Sequence, residues 1–469
     1  MSSYKKRYIA NIVIEATSPL KVGSNSLDML QDSPVQKDWN ALPMILGTSI
    51  AGVLRKEFDT PFANDVFGDE DSQKEDAKGS RVIISNALLC NHEMKVIETL
   101  GLPKDETFLL KYENLPLRDH VKINHRGVAD IENKGKFDDE VVYAGSRFKF
   151  RLELMANDDA EFKKLLQQIN SKTFRLGAGT TKGFGAIKVV TENSTYDEFT
   201  LNSKEYREKS SSLDTSYDKA FPQEKAELSH TVYMLKIKPD DFFMFGSGFG
   251  EDDIKMIPVK EKIVVWDSDN KGGFSEEQIL IPASSVKGAL SHRTAFYYNK
   301  KMMKEEEKYE PKVGEENNAV VALFGHKKEM AEDKTTELGQ KGKLLISDCF
   351  KEEKKESTKV FDHVSIDRFT GGAIEGALFN EKTIAQREVY EIEILVENYK
   401  KDEKLSDEEN QEEKSKYEKA MNAFEDALKD VCTGMLALGG ATTKGHGVFC
   451  GTLERDGKII AEGECPDEN

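Results

Sequence analysis

The sequence predicts an α+β protein made of two tandem copies of one structural unit. Three observations support this prediction. Four pairs of similar segments recur in the same order along the chain. Each copy opens with a segment that alternates apolar and polar residues, as a strand does, and each contains two segments with apolar residues at helical spacing. At 469 residues the chain has room for two or three domains, each with its own hydrophobic core.

The internal repeat is defined by its four segment pairs. These are KVGS (21–24) with MFGS (244–247), ILGTSIAGVLRKEF (45–58) with IPASSVKGALSHRTAF (281–296), RDHVKINHRGVA (118–129) with FDHVSIDRFTGGA (361–373), and RLGAGTTKGFGAIKV (175–189) with ALGGATTKGHGVF (437–449). The offset between the copies grows from 223 to 262 residues. We therefore expect the second copy to carry the longer loops.

The elements follow one order in both copies. Strands are predicted at 9–16 and 232–239, and each precedes a long loop and a helix with small polar residues at its start. Further strands are predicted at 80–87 and 148–154, matched by 343–349 and 389–397. A second amphipathic helix, the glycine loop and a last strand close each copy. The order βαββαβ is that of a ferredoxin-like or RRM-like unit.

Domain boundaries follow from composition. Residues 1–192 are predicted to form the first module, 193–227 a polar, serine-rich linker, and 228–469 the second module. The mixed-charge runs at 300–312 and 400–418 read as solvent-exposed charged insertions.

Composition limits the function classes. The net charge of −18 disfavours capture of nucleic acid by overall charge, but a local basic groove stays compatible with it. No apolar run is long enough for a membrane span, and the N-terminus alternates like a strand, so a cytoplasmic protein without membrane contact is expected. The five cysteines contain no C-x-x-C pair, which predicts reduced thiols and neither a disulfide framework nor a zinc site.

The glycine loops are candidate anion-binding sites. Gly183 and Gly445 follow Lys182 and Lys444 in the shared T-T-K-G core, where backbone amides, threonine hydroxyls and an ammonium group can approach phosphate oxygens. The alternative is a glycine turn needed only for tight packing. Neither loop matches G-x-x-x-x-G-K-[ST] or its strand-to-helix context, so an NTPase is rejected.

The first helix of each copy offers a second anion site. Ser284, Ser285 and Lys287 lie at the helix start in the second copy, and Arg293 follows within that helix. The first copy has Thr48 and Ser49 there and no lysine, so Arg55 would supply the charge.

These residues resemble the RAMP superfamily, the RNA-binding subunits of CRISPR effectors. The resemblance is carried by the glycine loops, by P-x-S-S-x-K-G at 282–288, by I-D-R-x-T-x-x-A at 366–373, and by D-S-P-V-x-K-D at 32–38. The last motif is similar to that of the repeating backbone subunit of type III complexes. Two fused copies resemble the tandem backbone subunits of type III-D-like systems.

The resemblance implies a function and partners. Backbone subunits of this family assemble along a guide RNA with other effector subunits, and each projects a thumb hairpin toward the complementary target RNA. The thumbs would map to the segments after Ile123, with Asn124, His125 and Arg126, and after Ile366, with Asp367, Arg368 and Phe369. The aspartate of D-S-P, here Asp32, would cut the target RNA with a divalent cation, Mg²⁺ or Mn²⁺, and the ribose 2′-OH as nucleophile.

The second copy departs from this pattern. Counting back from Pro258 places Met256 at the position of Asp32, and methionine is a poor ligand for a hard cation. Asp253 is the candidate replacement, and a second copy without activity is the alternative. Two further readings stay open for the whole chain: a scaffold without catalysis, and a guide-processing endoribonuclease that acts through His120 or His125 without metal.

The predicted site residues form three sets. Asp32 and Asp253 are the catalytic candidates, and Asp32 is also the transient metal ligand. The RNA-binding candidates are Lys21, Thr48, Ser49, Arg55, His125, Arg126, Lys182, Gly183, Ser284, Ser285, Lys287, Arg293, Arg368, Lys444 and Gly445.

Overall fold

The protein was examined as a computed structural model. It describes residues 4–24, 34–70, 77–103, 106–129, 135–248, 250–251, 253–326, 339–355, 357–402 and 405–465. Two α+β modules follow one another along the chain, as the repeat predicts.

In its described residues, the first module contains ten strands and five helices. The strands are β1 (Lys6–Ala16), β2 (Met44–Ile45), β3 (Val82–Ile84), β4 (Ala87–Leu89), β5 (Leu117–Val121), β6 (Lys136–Glu140), β7 (Arg147–Ala156), β8 (Ile187–Val189), β9 (Thr195–Thr200) and β10 (Lys219–Ala220). The helices are α1 (Gly47–Lys56), α2 (Thr60–Phe67), α3 (Thr107–Leu110), α4 (Ala160–Ile169) and α5 (Lys204–Glu208).

The central sheet of the first module is antiparallel. β1 lies between β7 and the strands β8 and β9, and β7 also pairs with β3 and β4. Its core strands therefore have the order last, first, third, second that is expected of a ferredoxin-like sheet. The apolar face of α4, with Phe162, Leu165 and Leu166, is buried in the same core as Ile12 and Phe150 of the sheet.

The segment predicted as a linker differs from that prediction. Residues 193–227 include β9, which pairs with β1, and β10, which pairs with β9. Tyr196 of β9 packs on Phe162, with ring centroids 5.8 Å apart, and this contact explains why a polar segment joins the sheet. The segment thus extends the first module.

Fourteen strands and three helices lie in the part of the second module that the structure describes. The strands are β11 (His230–Pro239), β12 (Lys260–Glu261), β13 (Val264–Trp266), β14 (Gly272–Phe274), β15 (Gln278–Ile281), β16 (Gly325–His326), β17 (Gln340–Lys341), β18 (Leu344–Ile346), β19 (Cys349–Glu352), β20 (Thr358–Ile366), β21 (Ala373–Ile384), β22 (Tyr390–Glu397), β23 (Phe449–Arg455) and β24 (Lys458–Glu462). The helices are α6 (Ala283–Glu305), α7 (Asn318–Phe324) and α8 (Asp407–Cys432).

The second sheet repeats the first. Its order is β18-β22-β11-β23-β24, which places the first strand between the third and the last. α6 and α8 pack together over this sheet, and Leu290 and Phe424 are buried in its core. Ser406 caps α8 through a complete capping box with Glu409, so the charged run at 400–418 begins a regular helix.

Each module has a two-stranded β-hairpin outside its main sheet at an equivalent place in the repeat. β5 and β6 form the first hairpin, here called thumb 1, and β20 and β21 form the second, thumb 2. The thumb segments implied by the family resemblance, after Ile123 and after Ile366, lie at the tips of these hairpins.

The cysteines correct one prediction. Cys450 and Cys465 form a disulfide, whereas Cys90, Cys349 and Cys432 are buried free thiols. The antiparallel pairing of β24 with β23 brings the two partners together although they lie 15 residues apart, and spacing in the sequence does not reveal such a pair. Over the described ranges, the structure contains no helix long and apolar enough to cross a membrane.

Candidate nucleic-acid interface

The two glycine loops have the same backbone conformation. Gly183 and Gly445 have φ angles of +105° and +94°, and each ends a single helical turn that contains the T-T-K core. A side chain at either position would be strained. The loops also rest on equivalent carbonyls: a Cβ at Gly177 would lie 2.4 Å from the carbonyl oxygen of Lys21, and one at Gly439 would lie 2.4 Å from that of Met244.

The first glycine loop docks onto the second module. A Cβ at Gly183 would fall 2.6 Å from both the Cβ of Ala283 and Oδ1 of Asp348. Ala283 is the first residue of α6, and its amide donates to the same Oδ1 at 2.8 Å. The loop of one module therefore lies at the helix start of the next, beside Ser284 and Ser285.

A buried arginine holds this junction together. Arg118 in thumb 1 donates to Asp348 at 2.7 Å and to Glu261 at 2.8 Å, and all three side chains are at most 7% exposed. Although burial lowers the pKa of Arg118, the two carboxylates raise it above its ordinary value. The guanidinium is thus permanently charged and fully partnered.

A second arginine crosses the junction without a carboxylate partner. Arg175, at the start of the first glycine loop, donates to the carbonyl of Ile346 at 3.1 Å, to the hydroxyl of Ser347 at 3.3 Å and to its own loop at Thr180. Burial lowers its pKa to about 10. Its charge is therefore only partly compensated.

Two lysines add positive charge at the same place. Burial, followed by the like charge of Lys182, lowers the pKa of Lys287 to about 8. Lys182 itself is exposed, and the Lys287 ammonium lies 3.5 Å from the carbonyl oxygen of Phe324. Together with Arg175 and the N-terminus of α6, these groups create a surface that favours an anion.

The base of thumb 1 carries a stacked cluster. His120 stacks on Phe137 with centroids 5.1 Å apart, and the ammonium of Lys182 lies 5.1 Å from the same ring. Asp139 is buried between His120, at 3.4 Å, and Lys21, with which it forms an ion pair. Burial lowers the pKa of His120, against the opposing effect of Asp139, so the imidazole is neutral at pH 7.

The base of thumb 2 repeats this cluster with different charges. His363 stacks on Phe379 at 4.8 Å, and Lys444 lies 4.7 Å from that ring. Glu381 takes the place of Asp139 and lies 3.0 Å from His363 and 3.4 Å from His446. Met244 stands where the first module has Lys21, so a second imidazole replaces the ammonium beside the carboxylate.

The second glycine loop is open to solvent. A Cβ at Gly445 would meet no atom within 4 Å, in contrast to Gly183. Lys444 and Gly445 therefore lie at the free end of the second module, and Lys182 and Gly183 lie at the junction.

Two predicted RNA-binding arginines make contacts within the protein. Arg55 donates to the carbonyl of Gly68 at 2.7 Å and to Asn64, and so holds the segment after α2. Arg293 pairs with Asp430 of α8. Their contribution to RNA binding stays a prediction, as does that of Thr48 and Ser49 in the first turn of α1.

The thumb tips are exposed. His125 and Arg126 in thumb 1, and Arg368 in thumb 2, face solvent, and Phe369 beside Arg368 is 99% exposed. An apolar side chain this exposed at a hairpin tip indicates a contact surface.

The structure describes one of the two catalytic candidates. Asp32 lies outside the described residues, and Asp253 is exposed. Among the residues that the structure describes, no group of three His, Cys, Asp or Glu side chains is arranged to hold a metal ion.

The structure corrects one alignment between the modules. The amide of Ser24 donates to Pro34, and that of Ser247 donates to Ile257 in the same way, so Ile257 rather than Pro258 is the counterpart of Pro34. Lys255 precedes Ile257 by two residues in the second module, as Asp32 precedes Pro34 in the first. Counting back two residues from Pro34 and from Ile257 places Lys255, rather than Met256, opposite Asp32, which itself lies outside the described residues.

Sequence reasoning missed the residues that join the modules. Arg118 lies 143 residues from Glu261 and 230 residues from Asp348 in the chain, and no local pattern marks these residues. A signal did exist for Phe137 and Phe379, because KFDDE and LFNEK follow the two thumb tips, with Phe137 17 residues after His120 and Phe379 16 residues after His363.

Comparison with known families agrees with this geometry. The family model described as the RAMP superfamily matches residues 13–188 and 275–450, two spans that together cover more than half of the chain. No curated protein matches the chain. Both thumbs and both glycine loops lie within the matched spans, whereas β11, the first strand of the second module, precedes the second span.

Proposed function

Since the chain belongs to the RAMP superfamily and is thereby a CRISPR-associated RNA-binding subunit, we propose that it is a guide-RNA-binding backbone subunit of a type III interference complex. The two modules would bind consecutive stretches of the guide, and neighbouring effector subunits would continue the track. Base pairing would supply sequence recognition, while the protein reads the backbone and shape of the RNA.

The observation that carries this proposal is the composite basic surface at the junction. Lys182 comes from the first module and Lys287 from the second, and the charge of one perturbs the pKa of the other. A phosphate placed there would contact both modules and relieve their mutual repulsion. A surface assembled from two modules suits a continuous polyanion better than a small ligand.

The thumbs support a role at the guide–target duplex. Thumb 2 exposes Val364, Ile366, Phe369 and Leu378, with exposed fractions between 49% and 99%. Such side chains can insert between base pairs and unstack them. We propose that the thumbs interrupt the duplex in this way.

We further propose that Asp32 cuts the target RNA. A carboxylate can hold Mg²⁺ or Mn²⁺ beside a phosphodiester, and the bound ion would stabilise the charge that develops on the phosphate. The second module has Lys255 at the equivalent position, which favours one cut per chain over two. Asp253 is the alternative for the second module.

A scaffold without catalysis is the second candidate function. Lys255 already supports it for the second module. Processing of the guide precursor through His120 fits the structure less well, because that imidazole is buried against Asp139 and Phe137.

The decisive experiment assembles the complex with guide and labelled complementary RNA. Wild type, Asp32→Ala and Asp253→Ala are compared with and without Mg²⁺. We expect Asp32→Ala to abolish one specific cut and to leave target binding unchanged. Cuts that all persist in Asp32→Ala would make this chain a scaffold, and cleavage that survives chelation would favour histidine chemistry.

RNA binding is tested separately. Lys287→Ala and the control Lys458→Ala, an exposed lysine on β24, are compared for guide affinity over a salt series. The slope of log Kd against log salt should decrease by about one for Lys287→Ala alone.

A further inference from the structure

The first helix of the second module is longer than its counterpart in the first. α1 has 10 residues, whereas α6 has 23. Because Gly52 and Gly288 are equivalent positions of the repeat, α1 ends at the counterpart of His292. Residues 293–305 therefore extend α6 beyond the length of α1, and they are here called the α6 extension.

α6 is a basic helix in an acidic protein. Residues 283–304 contain five Lys or Arg residues and no Asp or Glu, although 85 of the 469 residues of the chain are acidic. Four of these five cations belong to the α6 extension, namely Arg293, Lys300, Lys301 and Lys304. A local positive surface on a protein with a net charge of −18 favours an anionic partner.

Exposed side chains form one stripe along this helix. Ser285, His292, Phe296, Lys300 and Met303 are exposed, and their spacing of three, four or seven residues places them on the same side of α6. Phe296 and Met303 are 49% and 57% exposed. The stripe is ~27 Å long at the rise of an α-helix. It begins at the helix start, where the first glycine loop docks.

The aromatic ring at the centre of the stripe lies between two cations. The guanidinium of Arg293 lies 5.0 Å from the ring centroid of Phe296, and the ammonium of Lys300 lies 6.0 Å from it. Asp430 of α8 accepts from Arg293 and from the hydroxyl of Tyr297, so both side chains are fixed. Because Asp430 balances the charge of Arg293, Lys300 is the cation that can contact a phosphate. An exposed ring with a cation beside it suits a nucleobase and its phosphate.

We infer that the exposed stripe of α6 binds single-stranded RNA that continues from the junction, with a base stacked on Phe296 and a phosphate on Lys300. Only an unpaired strand offers a free base to such a ring. An acidic protein segment would match the lysines, but it does not require an exposed aromatic ring between two cations. The inference rests on the proposed function in taking RNA as the partner, and it adds a binding surface outside the glycine loops.

The test uses the full chain and two labelled strands of ~8 nucleotides, an oligouridylate and an abasic strand with the same number of phosphates. Fluorescence anisotropy measures the Kd of each. Phe296→Ser should weaken oligouridylate binding by about five-fold or more and leave the abasic strand unchanged, whereas Phe296→Trp should keep wild-type affinity. Lys300→Glu should weaken binding of both strands. The matched control Lys458→Glu, on β24, should weaken neither.

A junction variant, Lys182→Ala/Lys287→Ala, separates this stripe from the proposed guide site. The effect of Phe296→Ser should persist in that background. If the junction variant abolishes binding and the α6 variants change nothing, the inference fails and the proposed function stands. If only the α6 variants weaken binding, the stripe is confirmed and guide binding at the junction is wrong.

A competitor tests the class of partner. Polyglutamate carries negative charge without bases, so it should displace the labelled oligouridylate far less effectively than unlabelled oligouridylate does. Equal displacement by both would overturn the inference in favour of an acidic protein partner. If Phe296→Ser does not fold, Lys300→Glu is judged by its loss of affinity relative to Lys458→Glu.

Discussion

Arg118 of the first module and Asp348 of the second form a buried ion pair, with Nη1 and Oδ2 2.7 Å apart. The other oxygen of Asp348 accepts the first amide of α6. One carboxylate therefore fixes both the thumb of the first module and the helix start of the second. The relative position of the two modules depends on this group.

Removal of the arginine should destabilise the protein strongly. Arg118→Ala leaves Asp348 and Glu261 buried without a cation, which typically costs about 3 to 5 kcal/mol of the free energy of unfolding. Urea denaturation measures this loss. Arg118→Ala/Asp348→Asn should be more stable than Arg118→Ala, because asparagine keeps the acceptor for α6, as Asn86 does for α1. A double variant no more stable than the single one would contradict this account.

The same variant should depend on pH in a defined direction. Burial raises the pKa of Asp348, although Arg118 opposes the effect. Without Arg118 that pKa rises further, so the folded state binds a proton that the unfolded state, with a pKa near ~3.9, releases. The stability deficit of Arg118→Ala should therefore be smallest at low pH and should grow as pH rises through the raised pKa. Unfolding of variant and wild type at pH 5 and pH 8 tests this.

The two glycine loops offer a matched pair of substitutions. Gly183→Ala and Gly445→Ala introduce similar backbone strain, of about 1 kcal/mol or more, since both residues have positive φ. Only Gly183→Ala also places a Cβ against Ala283 and Asp348. Its loss in free energy of unfolding should exceed that of Gly445→Ala. Equal losses would show that the first loop does not press on the second module.

RNA affinity should fall as Lys287 loses its proton. With a pKa of about 8 in the free protein, this group is mostly charged at pH 7 and mostly neutral at pH 9. Guide affinity should decrease across this interval in wild type. Lys287→Arg should remove this part of the pH dependence, because guanidinium stays charged. A pH profile identical in wild type and Lys287→Arg would place the RNA elsewhere.

Lys21 should make the stability of the first thumb base less dependent on the protonation of His120, because both side chains lie beside Asp139. In Lys21→Met, which copies Met244, the buried Asp139 loses its ion pair with Lys21 and keeps His120 as a neighbour, so the pKa of His120 should rise from the value that burial has lowered. Protonation of His120 then costs the folded variant less than it costs folded wild type, and this relative gain is present at low pH and lost as pH rises through the pKa of His120. The deficit of Lys21→Met should thus be larger at pH 8 than at pH 5.5. Thermal unfolding at both values measures it.

Substitution of Phe369 tests the thumb proposal, because this side chain forms no part of the hydrophobic core. Because this side chain is 99% exposed, Phe369→Ser should change the free energy of unfolding by less than about 0.5 kcal/mol. If thumb 2 unstacks the duplex, 2-aminopurine in the target opposite the thumb should be bright with wild type and dim with Phe369→Ser. Equal fluorescence in both would argue against insertion of this residue.

The sequence by itself determined the fold of each module. Periodicity of two in β1 and β11, helical spacing in α4 and α8, and the repeated glycine loops are local signals, and burial of an apolar face enforces each of them. The duplication then supplied the order βαββαβ twice. The segment 193–227 was misjudged because its pairing with β1 depends on a strand edge that local composition does not show.

Only the tertiary structure decided how the modules meet and which groups share a site. That Lys182 lies beside Lys287, and that Arg118 pairs with Glu261 and Asp348, depends on contacts between residues more than 100 positions apart. Such contacts form because burial of a charge requires a specific partner in space, and sequence spacing does not encode which partner that is. The same kind of evidence, backbone contacts and not the two prolines, aligns Pro34 with Ile257.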